Sequence, residues 1–181
     1  MNKLNLIGLA FAIAFLFFSC NFEKTGKSSV QKEKKIVQKW LDKKVELPDS
    51  LPVLSKDSLV PFYRARVYKR NNIKIVTPVD GGCHVCIEQL EHWEKFIQKA
   101  KASDDFEILF YITGTTPELF KNEFYHKLNF KYPLIIDSNF QLLKRNEFPY
   151  KKKYQTMLLN KDHKVKAIGN PAVSSEIEEI Y

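Results

Sequence analysis

Val79 to Trp93 read "VDGGCHVCIEQLEHW" and hold two of the three cysteines in the 181-residue chain, Cys83 and Cys86. Asp80-Gly81-Gly82 stands before the pair and a helical pattern follows it. From Cys86 the apolar positions pass through Leu90, Trp93, Ile97 and Ala100 at steps of four, three, four and three. That spacing predicts one face of an α-helix, with Glu88, Glu91, Glu94 and Lys95 on the other. Upstream, "IKIVTPV" from Ile73 is a β-branched run of strand length. The cysteines therefore lie where a strand feeds a helix. Taken alone, such a pair can be a metal clasp, a structural disulfide or a redox centre.

Reading onward, "FEILFYIT" (Phe106 to Thr113) is continuously apolar, which suits a strand in a sheet covered on both faces. Thr116-Pro117-Glu118 predicts a helix start: a hydroxyl N-cap, proline at the first helical position and an acid in the first turn. "YPLIID" (Tyr132 to Asp137) is another buried strand, and Ser138 is placed to cap a helix over "NFQLLKRNEF". "YQTMLLN" and "KVKAIGN" are strands separated by "KDH", a connection short enough only for an antiparallel hairpin. "SSEIEEIY" opens a last helix. The order βαβαβαββα predicts an α/β fold in which parallel βαβ units are closed by a hairpin and a helix. No internal repeat is visible.

Upstream of Ile73 the pattern is weaker. Ile36, Val37, Trp40 and Leu41 fall at helical spacing, and the prolines of "VELPDSLPVL" break that helix. "PFYRARVYKRNN" alternates apolar and basic residues and predicts a strand ending in an Asn-Asn turn. Residues 20–35 are polar and Lys/Ser-rich and read as a flexible tether. Residues 36–72 then form an N-terminal extension of one helix and one strand.

"MNKLNLIGLAFAIAFLFFSC" carries Lys3 as its only charge, followed by an apolar run from Leu4 to Phe18. The run is short for a spanning helix and reads as the core of a signal peptide. Ser19-Cys20 resembles the cleavage site of a bacterial lipoprotein, although Phe17 departs from the usual Leu or Val. The resemblance implies removal of residues 1–19 and a lipid on Cys20 as the mature N-terminus. An uncleaved signal anchor is the alternative. Either way the chain is expected in the bacterial cell envelope, facing the periplasm, where disulfides are permitted.

The formal charge is +8, or +7 without Lys3. Export argues against nucleic acid as the partner. The lysines are spread along the chain, and the local cluster Lys151, Lys152, Lys153 reads as solvated surface beside anionic lipid headgroups.

The strand "IKIVTPV", the motif Cys83-His84-Val85-Cys86 and the strand-turn-strand "TMLLNKDHKVKAIGNP" together resemble the thioredoxin fold. In particular they resemble membrane-anchored thioredoxin-like lipoproteins of the bacterial envelope. The resemblance covers residues 73–181 and implies a central mixed sheet with helices on both faces. It implies thiol–disulfide exchange with envelope proteins that bear thiols or disulfides, without a separate cofactor or metal. Cys83 would be the nucleophile and Cys86 the resolving thiol. Backbone N–H groups and the dipole at a helix start favour a thiolate there. Gly81 and Gly82 would leave room for a partner backbone, and Gly82, His84, Tyr154, Gln155 and Thr156 would line the substrate surface.

The chain departs from the family at several positions. Gly82 stands where thioredoxins have Trp, and His84-Val85 where they have Gly-Pro. Thr77 stands where they bury an acid, and Tyr154 or Gln155 where a cis-proline precedes the later strand. Asp80 is a candidate to cap the helix or tune the thiols, and His84 reads as a solvent-facing residue at the helix start.

Other readings weigh less. Structural zinc wants four ligands, and His92, His126 and His163 are scattered. Haem attachment needs His directly after the second cysteine, where Ile87 stands. Copper-handling relatives space their cysteines one residue wider. A purely structural Cys83–Cys86 bond closes too small a loop to stabilise much. A thioredoxin-like binding module without catalysis is the main competitor. Trp93, Phe96, Phe106, Phe110, Tyr111 and Phe130 are read as core or groove residues.

Overall fold

The computed structural model describes residues 30–55, 58–61, 73–100, 106–128 and 130–180. The expected signal peptide, the lipidation site Cys20 and most of the strand expected over 61–72 lie outside the described residues. The chain divides into two compact units, Met1–Lys39 and Trp40–Tyr181. In the first, residues 30–39 are helical. That helix starts at residue 30, within the stretch expected to be tether, and its Gln, Lys and Glu residues are good helix formers. Among the described residues no helix is long and apolar enough to cross a membrane.

The second unit is built on one seven-stranded mixed sheet. Its strands are β1 (Pro52–Ser55), β2 (Ser58–Pro61), β3 (Ile73–Asp80), β4 (Phe106–Thr113), β5 (Leu134–Asp137), β6 (Met157–Leu159) and β7 (Val165–Ile168). They lie in the order β2-β1-β5-β4-β3-β6-β7. β3, β4 and β5 are parallel to one another, and β1, β2, β6 and β7 pair antiparallel. Five of the strands stand where the sequence puts them. β1 was hidden by Pro52, which read as a breaker, and β2 ends at Pro61, where the strand expected over 61–72 was placed to begin. Proline is tolerated at a strand's first residue and in an edge strand, and β2 is the sheet edge.

The helices of this unit are α1 (His84–Glu88), α2 (Leu90–Ala100), α3 (Pro117–Glu123), α4 (Gln141–Asn146) and α5 (Ser175–Glu178). The single helix expected after the cysteines is interrupted at Gln89, yet Gln89 keeps right-handed helical angles. The apolar stripe therefore runs on across the break, and Ile87, Leu90, Trp93 and Ile97 are all buried. They pack in one core with Ile75 and Val79 of β3, Phe110 and Ile112 of β4, and Leu134 and Ile136 of β5. Registers Thr77↔Phe110 and Phe110↔Leu134 put these residues on one face of the sheet. Trp93 meets Phe110 edge-on at 5.4 Å and Phe110 meets Phe130 at 5.0 Å, the arrangement aromatic quadrupoles favour. On the opposite face Val53, Val76, Leu109, Tyr111 and Ile135 are buried as well. Coverage of both faces explains why these strands read as unbroken apolar runs.

Two caps differ in outcome. Thr116 caps α3 as expected, its Oγ1 accepting from the Leu119 N–H at 3.2 Å. For α4 the capping acceptor is Asp137, not Ser138. Its two carboxylate oxygens accept from the N–H groups of Gln141 and Leu142 at 2.7 and 2.8 Å. Phe140, left-handed at φ 57°, makes the turn that brings these donors back onto Asp137.

Candidate active site

The parallel strands β3, β4 and β5 end at one edge of the sheet. β6 runs antiparallel to β3 and begins with Met157 opposite Val76. The segment before β6 therefore returns to the edge where β3 ends. Open α/β sheets place their chemistry at such carboxyl ends.

The turn after β3 is tied to β4. Gly81 N–H donates to the Thr113 carbonyl at 2.8 Å, and Thr113 Oγ1 donates to the Val79 carbonyl at 3.2 Å. A Cβ on Gly81 would come within 2.8 Å of Ile112 Cγ2 and 3.0 Å of the Thr113 oxygen. Gly81 is thus glycine for packing against its own sheet, which corrects the expectation that it makes room for a partner. Gly82 is exposed, and a Cβ there would meet only Asp80 Oδ1, at 3.6 Å. Its N–H donates to that same oxygen at 3.1 Å.

Cys83 and Cys86 are joined as a disulfide, with their Cα atoms 5.2 Å apart. Cys83 precedes α1 in extended conformation, and its carbonyl accepts from Ile87 N–H at 3.1 Å. Both cysteines are half-buried, and Cys86 packs against the core around Ile87 and Trp93. Between them, His84 faces solvent and its Nε2 lies 3.1 Å from Glu88 Oε1 one turn on. Val85 is exposed.

The segment before β6 reaches the pair through a residue that the sequence reading treated as plain surface. Lys152 begins a 3₁₀ turn, Lys152–Tyr154. Its Nζ lies 2.9 Å from Asp80 Oδ2 and 3.5 Å from Cys86 Sγ. The Lys152 hydrogen bond is the main reason the Asp80 carboxyl sits below the ordinary aspartate range. Partial burial opposes this, and the Gly82 N–H assists it. A run of three lysines carries no local signal for such a role. What could have found it is the topology, which brings any residue just ahead of β6 to the end of β3.

The remaining expected residues are distributed as follows. Tyr154 is buried, its ring under Lys153 Nζ at 4.9 Å, and its hydroxyl is buried without a hydrogen-bond partner among the described residues. Gln155 turns away to donate from Nε2 to the Pro149 carbonyl at 2.8 Å. The N–H groups of Tyr154 and Gln155 are used inside the turn, donating to the carbonyls of Lys151 and Lys152. Thr156 is buried, its hydroxyl 2.9 Å from that of Thr77. The hydroxyl pair occupies the strand position where the family resemblance would put an acid.

No protein-family model matches the chain, and no curated protein matches it. Solved structures do. The thioredoxin domain of a thiol-disulfide oxidoreductase from Bacteroides vulgatus is similar at a TM-score of 0.55 and 12% identity, over 77% of this chain and 96% of that one. The C-terminal domain of an uncharacterized protein from Bacteroides fragilis is similar at 0.53 and 14%, over 77% and 95%. A candidate thiol:disulfide interchange protein DsbE from Chlorobium tepidum is similar at 0.52 and 19%, over 77% and 94%. The chain has the thioredoxin-like α/β fold that its motifs resemble.

Proposed function

We propose that Cys83 and Cys86 perform thiol–disulfide exchange on protein partners of the bacterial envelope. The observation that carries this reading is the placement of the bonded pair. It sits at the strand-to-helix junction, with Cys86 against the core and an ammonium beside its sulfur. In the reduced form Cys83, as thiolate, attacks a partner disulfide. A Cys83–partner bond forms, and one partner sulfur leaves with the electron pair. Cys86, as thiolate, then attacks Cys83 Sγ, re-forming the intramolecular bond and releasing the partner's second thiol. Two electrons pass from the cysteine pair to the partner, and no further cofactor is required. Gly82 and His84, both exposed, are proposed to face the partner, while Tyr154, Gln155 and Thr156 are proposed to support that surface from beneath, with Tyr154 and Thr156 buried. The apolar run and Ser19-Cys20 support attachment to a membrane through lipid on Cys20, with the domain facing the periplasm.

One observation favours a second reading, a binding module that keeps the fold without efficient exchange. The Tyr154 and Gln155 N–H groups close the 3₁₀ turn and so are not offered to a partner strand. Single-cysteine trapping separates the two readings. Cys86→Ala is expected to accumulate mixed disulfides with envelope proteins, because the resolving attack is lost, and Cys83→Ala to accumulate few. The check is acid-quenched samples of both variants on non-reducing gels. Equal trapping would overturn the assignment of roles. Absence of adducts from both, in folded protein, would favour the binding module.

A further inference from the structure

We propose that Lys152 is a catalytic residue of this exchange: its ammonium, held by Asp80, stabilises the negative charge that appears on Cys86 whenever the Cys83–Cys86 bond opens. The inference rests on the exchange reading and adds to it a charge partner for one particular sulfur.

An ammonium has three donors and no acceptor. One donor of Lys152 is committed to Asp80 Oδ2 at 2.9 Å, and the same nitrogen lies 3.5 Å from Cys86 Sγ. Asp80 is itself fixed from the other side, its Oδ1 accepting from the Gly82 N–H at 3.1 Å. Carboxylate, ammonium and sulfur are thus linked in series, ending on Cys86. Asp80 acts through Lys152 and is a positioning residue.

The other charged groups nearby are committed elsewhere. On α1, His84 and Glu88 pair with one another at 3.1 Å and face solvent. In the 3₁₀ turn, Lys153 sits over the Tyr154 ring. On β3, Thr77 is buried and neutral, with its hydroxyl bonded to that of Thr156. At the β3 position where thioredoxins carry an acid this chain has the neutral Thr77, and the cation beside Cys86 comes from the segment before β6.

The consequence is directional. When a dithiol reductant meets the oxidised protein, its thiolate attacks Cys83 Sγ. The reductant–Cys83 bond forms and the Cys83–Cys86 bond breaks. The electron pair stays on Cys86 Sγ, beside the Lys152 ammonium. The reductant's second thiolate then attacks its own first sulfur, expelling Cys83, which takes a proton from water. The reductant leaves as a disulfide and the protein as a reduced pair. A leaving thiol departs faster when its thiolate is more stable. Lys152 therefore promotes attack on Cys83 rather than on Cys86. By microscopic reversal, it also keeps Cys86 ready as thiolate for the resolving step.

The test isolates Cys86 in the full chain. With Cys20→Ser and Cys83→Ser, Cys86 is the only thiol among the chain's three cysteines, and its ionisation is followed by thiolate ultraviolet absorbance. Adding Lys152→Gln is expected to move the titration up by about one pH unit, the low end for loss of an opposite charge at this range. At neutral pH that is roughly a tenfold loss of thiolate. Lys152→Arg is expected to restore most of it. Lys152 is largely exposed, so the substitutions leave the fold intact, which the circular dichroism of each variant checks. An unchanged Cys86 titration in Lys152→Gln would overturn the inference. Exchange itself is measured separately, by reducing the unaltered chain with dithiothreitol and reoxidising it with a peptide disulfide. If that exchange fails while the titration shifts, the functional reading falls and the charge partnership stands. If exchange proceeds and the titration does not move, only the partnership falls.

Discussion

The side-chain hydroxyls of Thr77 and Thr156 meet at 2.9 Å, buried between β3 and the residue that leads into β6. Neither has access to water, so each depends on the other for its hydrogen bond. Thr77→Val leaves the Thr156 hydroxyl buried and unpaired, at a cost of about 1–3 kcal/mol. Thr156→Val is expected to cost a similar amount. Replacing both removes donor and acceptor together while keeping the shape, so the double variant is expected to be more stable than either single one. Urea unfolding of the four proteins closes the cycle. Additive losses in the double variant would show that the hydroxyls do not depend on one another.

Gly81 and Gly82 make opposite predictions although they are adjacent. A methyl group on Gly81 collides with Ile112 and the Thr113 carbonyl, so the end of β3 must move. Gly81→Ala is expected to destabilise by about 1–3 kcal/mol, the usual range for overpacking. At Gly82 the same methyl enters open space beside Asp80, and Gly82→Ala is expected to change stability by less than about 0.5 kcal/mol. Thermal unfolding of the oxidised proteins distinguishes them, and equal losses would contradict the difference in their surroundings.

Much of this was legible in the sequence and some was not. β3, β4 and β5 announce themselves because strands buried on both faces need uninterrupted apolar residues. The stripe from Ile87 to Ile97 announces itself because one helix face meets the core. β1 and β2 have four residues each, too few to show a period, and Pro52 at the start of β1 imitates a loop signal. Asp137 and Ser138 are neighbours with equal chemical claim to cap α4. Only the left-handed turn at Phe140 decides between them, and a phenylalanine gives no warning of that conformation. Lys152 was hidden for a different reason. Its role depends on the chain returning to Cys86 across a separation of 66 positions, which composition cannot express.

The Asp80–Lys152 pair predicts an acid limb. The Asp80 carboxyl is held below its ordinary range, first by the Lys152 hydrogen bond. As pH falls, the unfolded chain takes up this proton before the folded one. The pair's contribution is therefore complete above the ordinary aspartate pKa, about 4. It is lost as pH drops from there through the lowered folded value. The carboxyl is partly exposed, so the effect on stability is small and salt-sensitive. Nuclear magnetic resonance titration of the Asp80 carboxyl should give a midpoint below the ordinary value, moving upward in Lys152→Gln. A midpoint unaffected by that substitution would rule out the pairing in solution.

Tyr154 offers the sharpest separation of stability from function. Its ring is buried, and its hydroxyl is enclosed without a hydrogen-bond partner among the described residues. An enclosed, unpaired hydroxyl costs about 1–3 kcal/mol relative to a paired one. Phenylalanine fills the same space without that cost. Tyr154→Phe is therefore expected to raise stability by about 1 kcal/mol, whereas Tyr154→Ala, which empties the ring site, is expected to lose about 3–5 kcal/mol. The proposed exchange does not use this hydroxyl, so the reduction rate of a peptide disulfide should be the same in Tyr154→Phe as in the unaltered chain. A stabilised variant whose rate fell tenfold or more would show that the hydroxyl is held unpaired for a partner that bonds to it during turnover. A destabilised Tyr154→Phe would show that the hydroxyl is paired in solution.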